Sequence, residues 1–146
     1  MGCAGPMGLG VALNSDRPVV VLDGDGAALM KLGAFATIGA RGPDNLVHII
    51  LDNGVHDSTG GQPTVSPSVD FAGAALSCGY AGAALANDPD GFEKAFVAAL
   101  EKPGPHLIHV RIRPGSLDSL GRPTLSPREV ADRFKAFLAE PNSTTG

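Results

Sequence analysis

The stretch VVVLDGDGA, residues 19–27, decides the fold of this chain. A continuous run of Val and Leu is typical of a parallel strand that is buried on both faces, and this run ends in an aspartate between two glycines. The predicted strand therefore leaves the sheet at Asp25. Open α/β sheets bind their ligands beyond the carboxyl ends of the strands, so Asp25 is a candidate ligand-binding residue.

Predicted strands and helices alternate along the rest of the chain. A Gly- and Ala-rich helix runs to about Leu13, and an apolar helix follows the first strand from Ala27 to Ala40. Further strands are predicted at LVHIILDN, YAGAAL and HLIHVRI, and further helices at residues 69–77, DPDGFEKAFVAALEKPG and SPREVADRFKAFL. The alternation predicts an α/β class with a doubly wound, mainly parallel sheet and helices on both faces. We expect one domain over residues 1–139 and a disordered tail over 140–146.

The composition limits the kinds of partner. The net charge of -4 and the lack of a basic stripe argue against nucleic-acid binding. Only 18% of the residues are charged, below the usual value of about 25%, which suggests that a partner subunit covers part of the surface. Two cysteines without a CxxC pattern suit a reducing compartment, and neither a signal peptide nor a membrane span is evident. A cytoplasmic location is expected.

The second predicted strand ends at Asn53, 28 residues after Asp25. This interval holds one turn, one helix and one strand, so the two strand ends are expected to be neighbours at one edge of the sheet. A carboxylate and an amide oxygen there can share a Mg²⁺ ion whose remaining ligands are phosphate and water. Gly24, Gly26 and Gly54 would let the backbone approach that phosphate, towards which the helix beginning at Ala27 would point its N–H groups.

A long polar loop, NGVHDSTGGQPTVSPS, follows the second strand. Loops of this length in compact domains are usually functional. His56 is its best acid/base candidate because an unperturbed imidazole titrates near physiological pH. The alternative, a solvated loop histidine without a chemical role, stays open at this point.

The ordered pair GDGA and LDNG resembles the cofactor motif of thiamine-diphosphate enzymes, in their diphosphate-binding domain. The segments DNGVHDSTGGQPTVS and RPGSLDSLGRPTLSP are similar to those of phosphonopyruvate and sulfopyruvate decarboxylases. The resemblance covers residues 1 to about 138. In one respect the chain departs from the motif, because Asp52 stands where the family usually has the first of two asparagines, and its role is left open.

The resemblance implies a set of site residues. Mg²⁺ ligands would be the side chains of Asp25 and Asn53 and the backbone carbonyl of Val55. Contacts to thiamine diphosphate would come from Gly24, Gly26, Ala27 and Gly54 at the diphosphate, and from Met1, with Gly2, as the large apolar residue that props the cofactor in its bent shape. The implied reaction is decarboxylation of an anionic 2-oxo acid such as phosphonopyruvate.

The resemblance also implies a partner. In this family a glutamate of the pyrimidine-binding domain activates the cofactor, and here no glutamate precedes Glu93. We therefore expect half of an active site, completed by a pyrimidine-binding subunit in a hetero-oligomer such as α2β2. Two alternatives stay open: a carboligase subunit with the same cofactor, and a non-catalytic nucleotide- or phosphate-binding α/β module. The second is disfavoured because the first turn lacks both a G-x-G-x-x-G pattern and a Walker lysine.

Overall fold

The computed structural model describes residues 1–115, 119 and 121–140. It divides into two compact units, Met1–Gly115 and Ser116–Gly146, each of which is described by itself. The elements of the first unit are, in order, α1 (Ala4–Ala12), β1 (Val19–Gly24), α2 (Asp25–Met30), α3 (Ala34–Arg41), β2 (Leu46–Asp52), β3 (Val55–His56), β4 (Gln62–Pro63), α4 (Phe71–Ser77), β5 (Gly82–Ala86), α5 (Pro89–Leu100) and β6 (His106–Arg111).

Four parallel strands form the main sheet, in the order β1, β2, β6, β5. The central strand β2 is almost wholly buried, as its Val- and Ile-rich sequence predicts. Its side chains alternate between two cores, since Leu46 and Ile50 pack with α1, α3 and α4 while Val47 and Ile49 pack with α5. Helices thus cover both faces of a parallel sheet, and the predicted α/β class is confirmed.

The larger core depends on small residues that let its elements approach closely. Phe35, Ile38 and Phe71, each at most 1% exposed, fill its centre. Gly8 of α1 packs against Val21 of β1 so closely that any Cβ would collide with the valine side chain. The abundance of glycine and alanine is therefore a packing requirement of this face.

The second core is the smaller one, and within the first unit α5 packs on this face of the sheet. Helix α5 contacts β5 and β6 but leaves the outer side of β1 uncovered, where Val20 and Leu22 are 43% and 62% exposed.

The predicted start of α5 is confirmed, since the Asp88 side chain caps it by accepting a hydrogen bond from the Gly91 N–H at 2.7 Å.

The single helix predicted over residues 27–40 is wrong in its extent. The structure has two helices here, α2 and α3, separated by residues 31–33. Helix α2 begins at Asp25 rather than Ala27, and the Ala34 N–H bonds to the Lys31 carbonyl in the intervening turn. Gly33 lies in this turn and lowers the cost of interrupting an otherwise helical apolar pattern.

The polar loop after β2 contains only short regular pieces, as its glycines and prolines predict. Strands β3 and β4 form a two-residue antiparallel pair, and single 3₁₀ turns lie at Asp57–Thr59 and Ser66–Ser68. The loop then runs into α4, whose N-cap is Asp70. Its folding back over the end of β2 brings Thr64 and Ser66 into the interior.

The described part of the second unit contains one helix, α6 (Pro127–Ala139). The helix predicted at SPREVADRFKAFL is confirmed, and a capping box starts it, in which Ser126 and Glu129 exchange backbone and side-chain hydrogen bonds. The predicted tail beyond Glu140, and residues 116–118 and 120 of the segment RPGSLDSLGRPTLSP, lie outside the described residues. None of the described helices combines the length and apolar character that a membrane span requires.

Candidate functional site

The carboxyl ends of β1 and β2 lie side by side at one edge of the sheet. Gly24, the last residue of β1, pairs in register with Leu51 of β2. Asp25 follows at once and is 2% exposed, while Asn53 follows the end of β2 and is half-buried. The structure thus brings a carboxylate and a carboxamide to neighbouring strand ends, which lie about 4.8 Å apart in such sheets.

Hydrogen bonds fix one oxygen of each of these two side chains. The Thr64 hydroxyl donates to Asp25 Oδ2 at 2.5 Å, and the backbone N–H of Val55 donates to Asn53 Oδ1 at 3.1 Å. The Thr64 backbone N–H bonds to the Gly54 carbonyl at 2.9 Å, which ties the returning loop to the strand end. Carboxylate, amide and backbone carbonyl oxygens are the donor types that Mg²⁺ uses in proteins, so this set fits a hard divalent cation.

Two glycines, Gly54 and Gly26, follow the ends of the two strands. Gly54 has a φ of +72°, a conformation that side chains disfavour, and nothing lies within 4 Å of the position its Cβ would take. Gly26 lies under the ring of His56, since a Cβ there would stand 2.6 Å from ring atoms Cε1 and Nδ1. The backbone at Gly54 can therefore approach a ligand closely, whereas the His56 ring occupies the space next to Gly26.

The amino terminus lies against the same helix. A Cβ on Gly2 would stand 2.8 Å from the Ala27 carbonyl oxygen and 2.5 Å from Cγ of Lys31, so the chain passes directly over α2. Met1 is 70% exposed beside this contact. The predicted cofactor residues Met1 and Gly2 therefore lie next to α2, the helix that contains Gly26 and Ala27.

Asp52, whose role the sequence left open, is the centre of a buried hydrogen-bond network. Its Oδ1 accepts from the Gly54 N–H at 3.0 Å and from the Ser66 hydroxyl at 2.8 Å, and its Oδ2 lies 2.8 Å from Nε2 of His109. Burial acts to raise the pKa of Asp52, but the hydrogen bonds from His109, Ser66 and Gly54 together with the charge of His109 outweigh it and lower this pKa. Asp52 is therefore held as a carboxylate.

A signal for this network was present in the strands. His109 of β6 pairs in register with Ile50, two residues before Asp52, so both polar side chains lie on the same face of the sheet. The local sequence around His109 gives no sign of its partner, because Asp52 lies 57 residues earlier. A surface pocket of about 430 Å³ opens beside the network and is lined by Asp52, Gly54, Ser66, Pro67, Arg111 and Ile112.

A second polar group lies deeper, under α1. His48 Nδ1 is 3.2 Å from the Tyr80 hydroxyl, and His48 Nε2 is 3.5 Å from Asp23 Oδ2. Burial raises the pKa of Tyr80, which stays neutral. Gly5 of α1 packs on the imidazole, so His48 and Tyr80 belong to the interior of the domain.

The described residues contain no conventional metal-binding cluster elsewhere in the chain. Among residues 1–115, 119 and 121–140, no group of three or more His, Cys, Asp and Glu side chains is arranged to hold a metal ion. The proposed Mg²⁺ ligands are not a cluster of this type, because they combine the Asp25 carboxylate with the Asn53 amide and the Val55 backbone carbonyl.

Comparison with known proteins identifies the family. Residues 1–110 match the family described as thiamine pyrophosphate enzyme, C-terminal TPP binding domain. The chain belongs to this family of TPP-binding domains. The resemblance stated from the GDG and DNG motifs is thereby confirmed. Thiamine pyrophosphate (TPP) is another name for thiamine diphosphate.

Curated relatives of this TPP-binding domain are named as decarboxylases. The chain is 55% identical over 145 residues to a phosphonopyruvate decarboxylase of Streptomyces viridochromogenes, with 99% of the chain and 36% of that protein covered. It is 40% identical over 134 residues to a sulfopyruvate decarboxylase subunit beta of Methanothermobacter thermautotrophicus, covering 92% of the chain and 69% of that protein. The chain thus spans about a third of the length of the phosphonopyruvate decarboxylase.

Solved structures share the fold. A thiamin diphosphate-dependent enzyme described as putative, from Mycobacterium smegmatis, superposes with a TM-score of 0.68 and 27% identity over 79% of this chain and 22% of that one. A thiamine diphosphate-dependent 4-hydroxybenzoylformate decarboxylase of Rhodococcus jostii gives a TM-score of 0.67 and 28% identity over 77% of this chain and 23% of that one. The sheet and its helices are those of TPP-dependent enzymes.

Proposed function

We propose that this TPP-binding domain holds the Mg²⁺ and diphosphate end of thiamine diphosphate in a decarboxylase that acts on an anionic 2-oxo acid of the phosphonopyruvate type. The observation that carries the proposal is the placement of Asp25 and Asn53 at adjacent strand ends beside Gly24 and Gly54, where nothing lies within 4 Å of the Cβ positions. The names of the relatives, phosphonopyruvate and sulfopyruvate decarboxylases, support the substrate class.

Each residue of the site has a part in this proposal. The side chains of Asp25 and Asn53 and the carbonyl of Val55 hold Mg²⁺. The diphosphate is held by the backbone around α2 and after β2, at Gly24, Gly26, Ala27 and Gly54. Met1 and Gly2, which lie against α2, support the middle of the cofactor. The bound cofactor supplies the electron sink that decarboxylation of a 2-oxo acid requires.

His56 is the proposed acid/base residue. His56 is half-buried in the polar loop that follows β2, and its ring lies over Gly26 beside the proposed diphosphate position. Imidazole is the most frequent general acid or base in enzymes, because it can both accept and donate a proton. Its substitution should therefore affect turnover more than cofactor binding.

A partner subunit completes the proposed site. Residues 1–92, which include the ends of β1 and β2, contain no glutamate. The described glutamates lie in or next to the two later helices: Glu93 and Glu101 at α5, Glu129 and Glu140 at α6. The activating glutamate would then come from a pyrimidine-binding chain in a hetero-oligomer. The relative from Methanothermobacter is itself named as a beta subunit.

Titration calorimetry with thiamine diphosphate tests the proposal. We expect weak, Mg²⁺-dependent binding to the chain alone, its loss in Asp25→Ala, and decarboxylation of phosphonopyruvate or sulfopyruvate only after a pyrimidine-binding chain is added. Binding that is unchanged by chelation of the metal or by Asp25→Ala would contradict the metal site. Formation of a hydroxyketone in place of an aldehyde would indicate carboligation, and turnover by the chain alone would contradict the shared active site.

A further inference from the structure

A chain of buried hydrogen bonds connects the Asp25 carboxylate to residues that the proposed site does not otherwise use. Thr64 donates to Asp25 Oδ2 at 2.5 Å, and Thr64 Oγ1 accepts from the Ser66 backbone N–H at 3.3 Å. The Ser66 hydroxyl donates to Asp52 Oδ1 at 2.8 Å, and Asp52 Oδ2 is 2.8 Å from Nε2 of His109. All five side chains belong to residues that are at most 8% exposed.

We propose that Asp52 is a positioning residue for the metal site, which fixes the Asp25 carboxylate through Ser66 and Thr64. The inference rests on the proposed function, because it assigns the cation to Asp25. The affinity of the site for Mg²⁺ then depends on Thr64, Ser66 and Asp52 as well as on the ligand Asp25.

The direction of the hydrogen bonds supports this assignment. Thr64 has one hydroxyl proton, and a charged acceptor at 2.5 Å makes a stronger bond than a neutral hydroxyl at 3.0 Å. The Ser66 proton is likewise directed to Asp52, while the Ser66 backbone N–H bonds to Thr64 Oγ1 at 3.3 Å. Ser66 therefore holds the Thr64 oxygen in place, and Thr64 occupies Asp25 Oδ2, which leaves Oδ1 for a cation.

An aspartate at position 52 fits these contacts better than an asparagine. Asp52 faces three donors, the Gly54 N–H, the Ser66 hydroxyl and the His109 ring, and an ionised carboxylate accepts from all of them. The bond to Gly54 also braces the turn that carries Asn53. One buried carboxylate thus supports both proposed metal-binding side chains.

A comparison of the affinities for Mg²⁺ and Ca²⁺ distinguishes a positioning role from a general structural role. Mg²⁺ demands near-ideal octahedral geometry at about 2.0–2.1 Å, whereas Ca²⁺ accepts flexible arrangements at about 2.3–2.6 Å. A carboxylate released from Thr64 should therefore lose affinity for Mg²⁺ more than for Ca²⁺. A purely structural weakening would lower both affinities alike.

The test measures metal binding by the full chain with thiamine diphosphate present. Mn²⁺ binding is followed by electron paramagnetic resonance, and Mg²⁺ and Ca²⁺ are added as competitors. We expect Thr64→Val to weaken Mg²⁺ binding about tenfold, or about 1.4 kcal/mol, and Ca²⁺ binding much less. Thr64→Ser, which keeps the hydroxyl, should restore Mg²⁺ binding, and Ser68→Ala, at an exposed position of the same loop, should leave both affinities unchanged.

Asp52→Asn provides a second variant that preserves side-chain shape, and it should shift the Mg²⁺ to Ca²⁺ preference in the same direction. Equal losses for both ions, or no loss in either Thr64→Val or Asp52→Asn, would overturn the positioning role while leaving the proposed function standing. A wild-type chain whose cofactor binding needs no divalent ion would overturn the proposed function and this inference together.

Discussion

The ring of His56 lies against the α-carbon of Gly26, and a Cβ at residue 26 would stand 2.6 Å from two ring atoms. Gly26→Ala should therefore displace His56 and fill the space beside Asp25. We expect Mg²⁺-dependent binding of thiamine diphosphate to weaken about tenfold or more in calorimetric titrations. Gly33→Ala is the matched control, because nothing lies within 4 Å of its Cβ position. Equal affinities of the two variants would contradict a close approach of the cofactor at Gly26.

His56→Gln tests the acid/base proposal. The amide keeps a polar side chain of similar reach but cannot supply a proton as imidazole does, and general acid/base groups contribute about 10²–10⁴-fold to turnover. We expect kcat of the reconstituted pair to fall within that range while the affinity for thiamine diphosphate changes little. A kcat close to that of the wild type would assign His56 to the alternative of a solvated loop residue.

Gly39→Ala tests the packing of the larger core. Gly39 of α3 lies against the backbone carbonyl of Cys78 at the end of α4, which leaves no room for a methyl group. Overpacking of this kind lowers the free energy of unfolding by about 1–3 kcal/mol in urea denaturation. Gly10→Ala in α1 has open space around it and should be neutral or stabilising by up to about 1 kcal/mol. If both variants unfolded at the same urea concentration as the wild type, the close contact of α3 and α4 would be refuted.

The capping box of α6 predicts a pH dependence. Hydrogen bonds from the Ser126 side chain and backbone lower the pKa of Glu129 below its ordinary value of 4.5. A lowered pKa in the folded state means that ionised Glu129 stabilises the helix above pH 4.5, and that this contribution disappears as the pH falls through the lowered value. The Glu129 carboxyl resonance should titrate below 4.5 in NMR spectra.

The control for this titration is Ser126→Ala, which removes the side-chain hydrogen bond but not the carboxylate. Its Glu129 midpoint should move up towards 4.5. A midpoint that is the same in both proteins would show that Ser126 does not cap the helix in solution.

Much of the fold followed from local signals in the sequence. The Val- and Ile-rich runs predicted the buried strands, and Asp88 and Ser126 predicted two helix starts, because burial and capping act over a few residues. The break between α2 and α3 was missed, although Lys31 and Gly33 interrupt the apolar run there, because an isolated glycine is tolerated within helices and does not by itself mark a break.

Only part of the candidate site could be predicted from the sequence. Asp25 and Asn53 could be placed together because a single β-α-β unit links them. The contact of Asp52 with His109 joins residues 57 positions apart, on strands whose adjacency depends on the order β1, β2, β6, β5. Thr64 and Ser66 reach the site by the folding of a loop, for which no periodic signal exists.

The most direct test of the metal assignment is a crystal structure of the chain grown with thiamine diphosphate and Mn²⁺, with anomalous scattering used to find the ion. A single strong anomalous peak within coordination distance of Asp25 Oδ1, the Asn53 side-chain oxygen and the Val55 carbonyl oxygen is the predicted result. A diphosphate bound with its Mn²⁺ elsewhere, or a peak that touches neither Asp25 nor Asn53, would contradict the assignment.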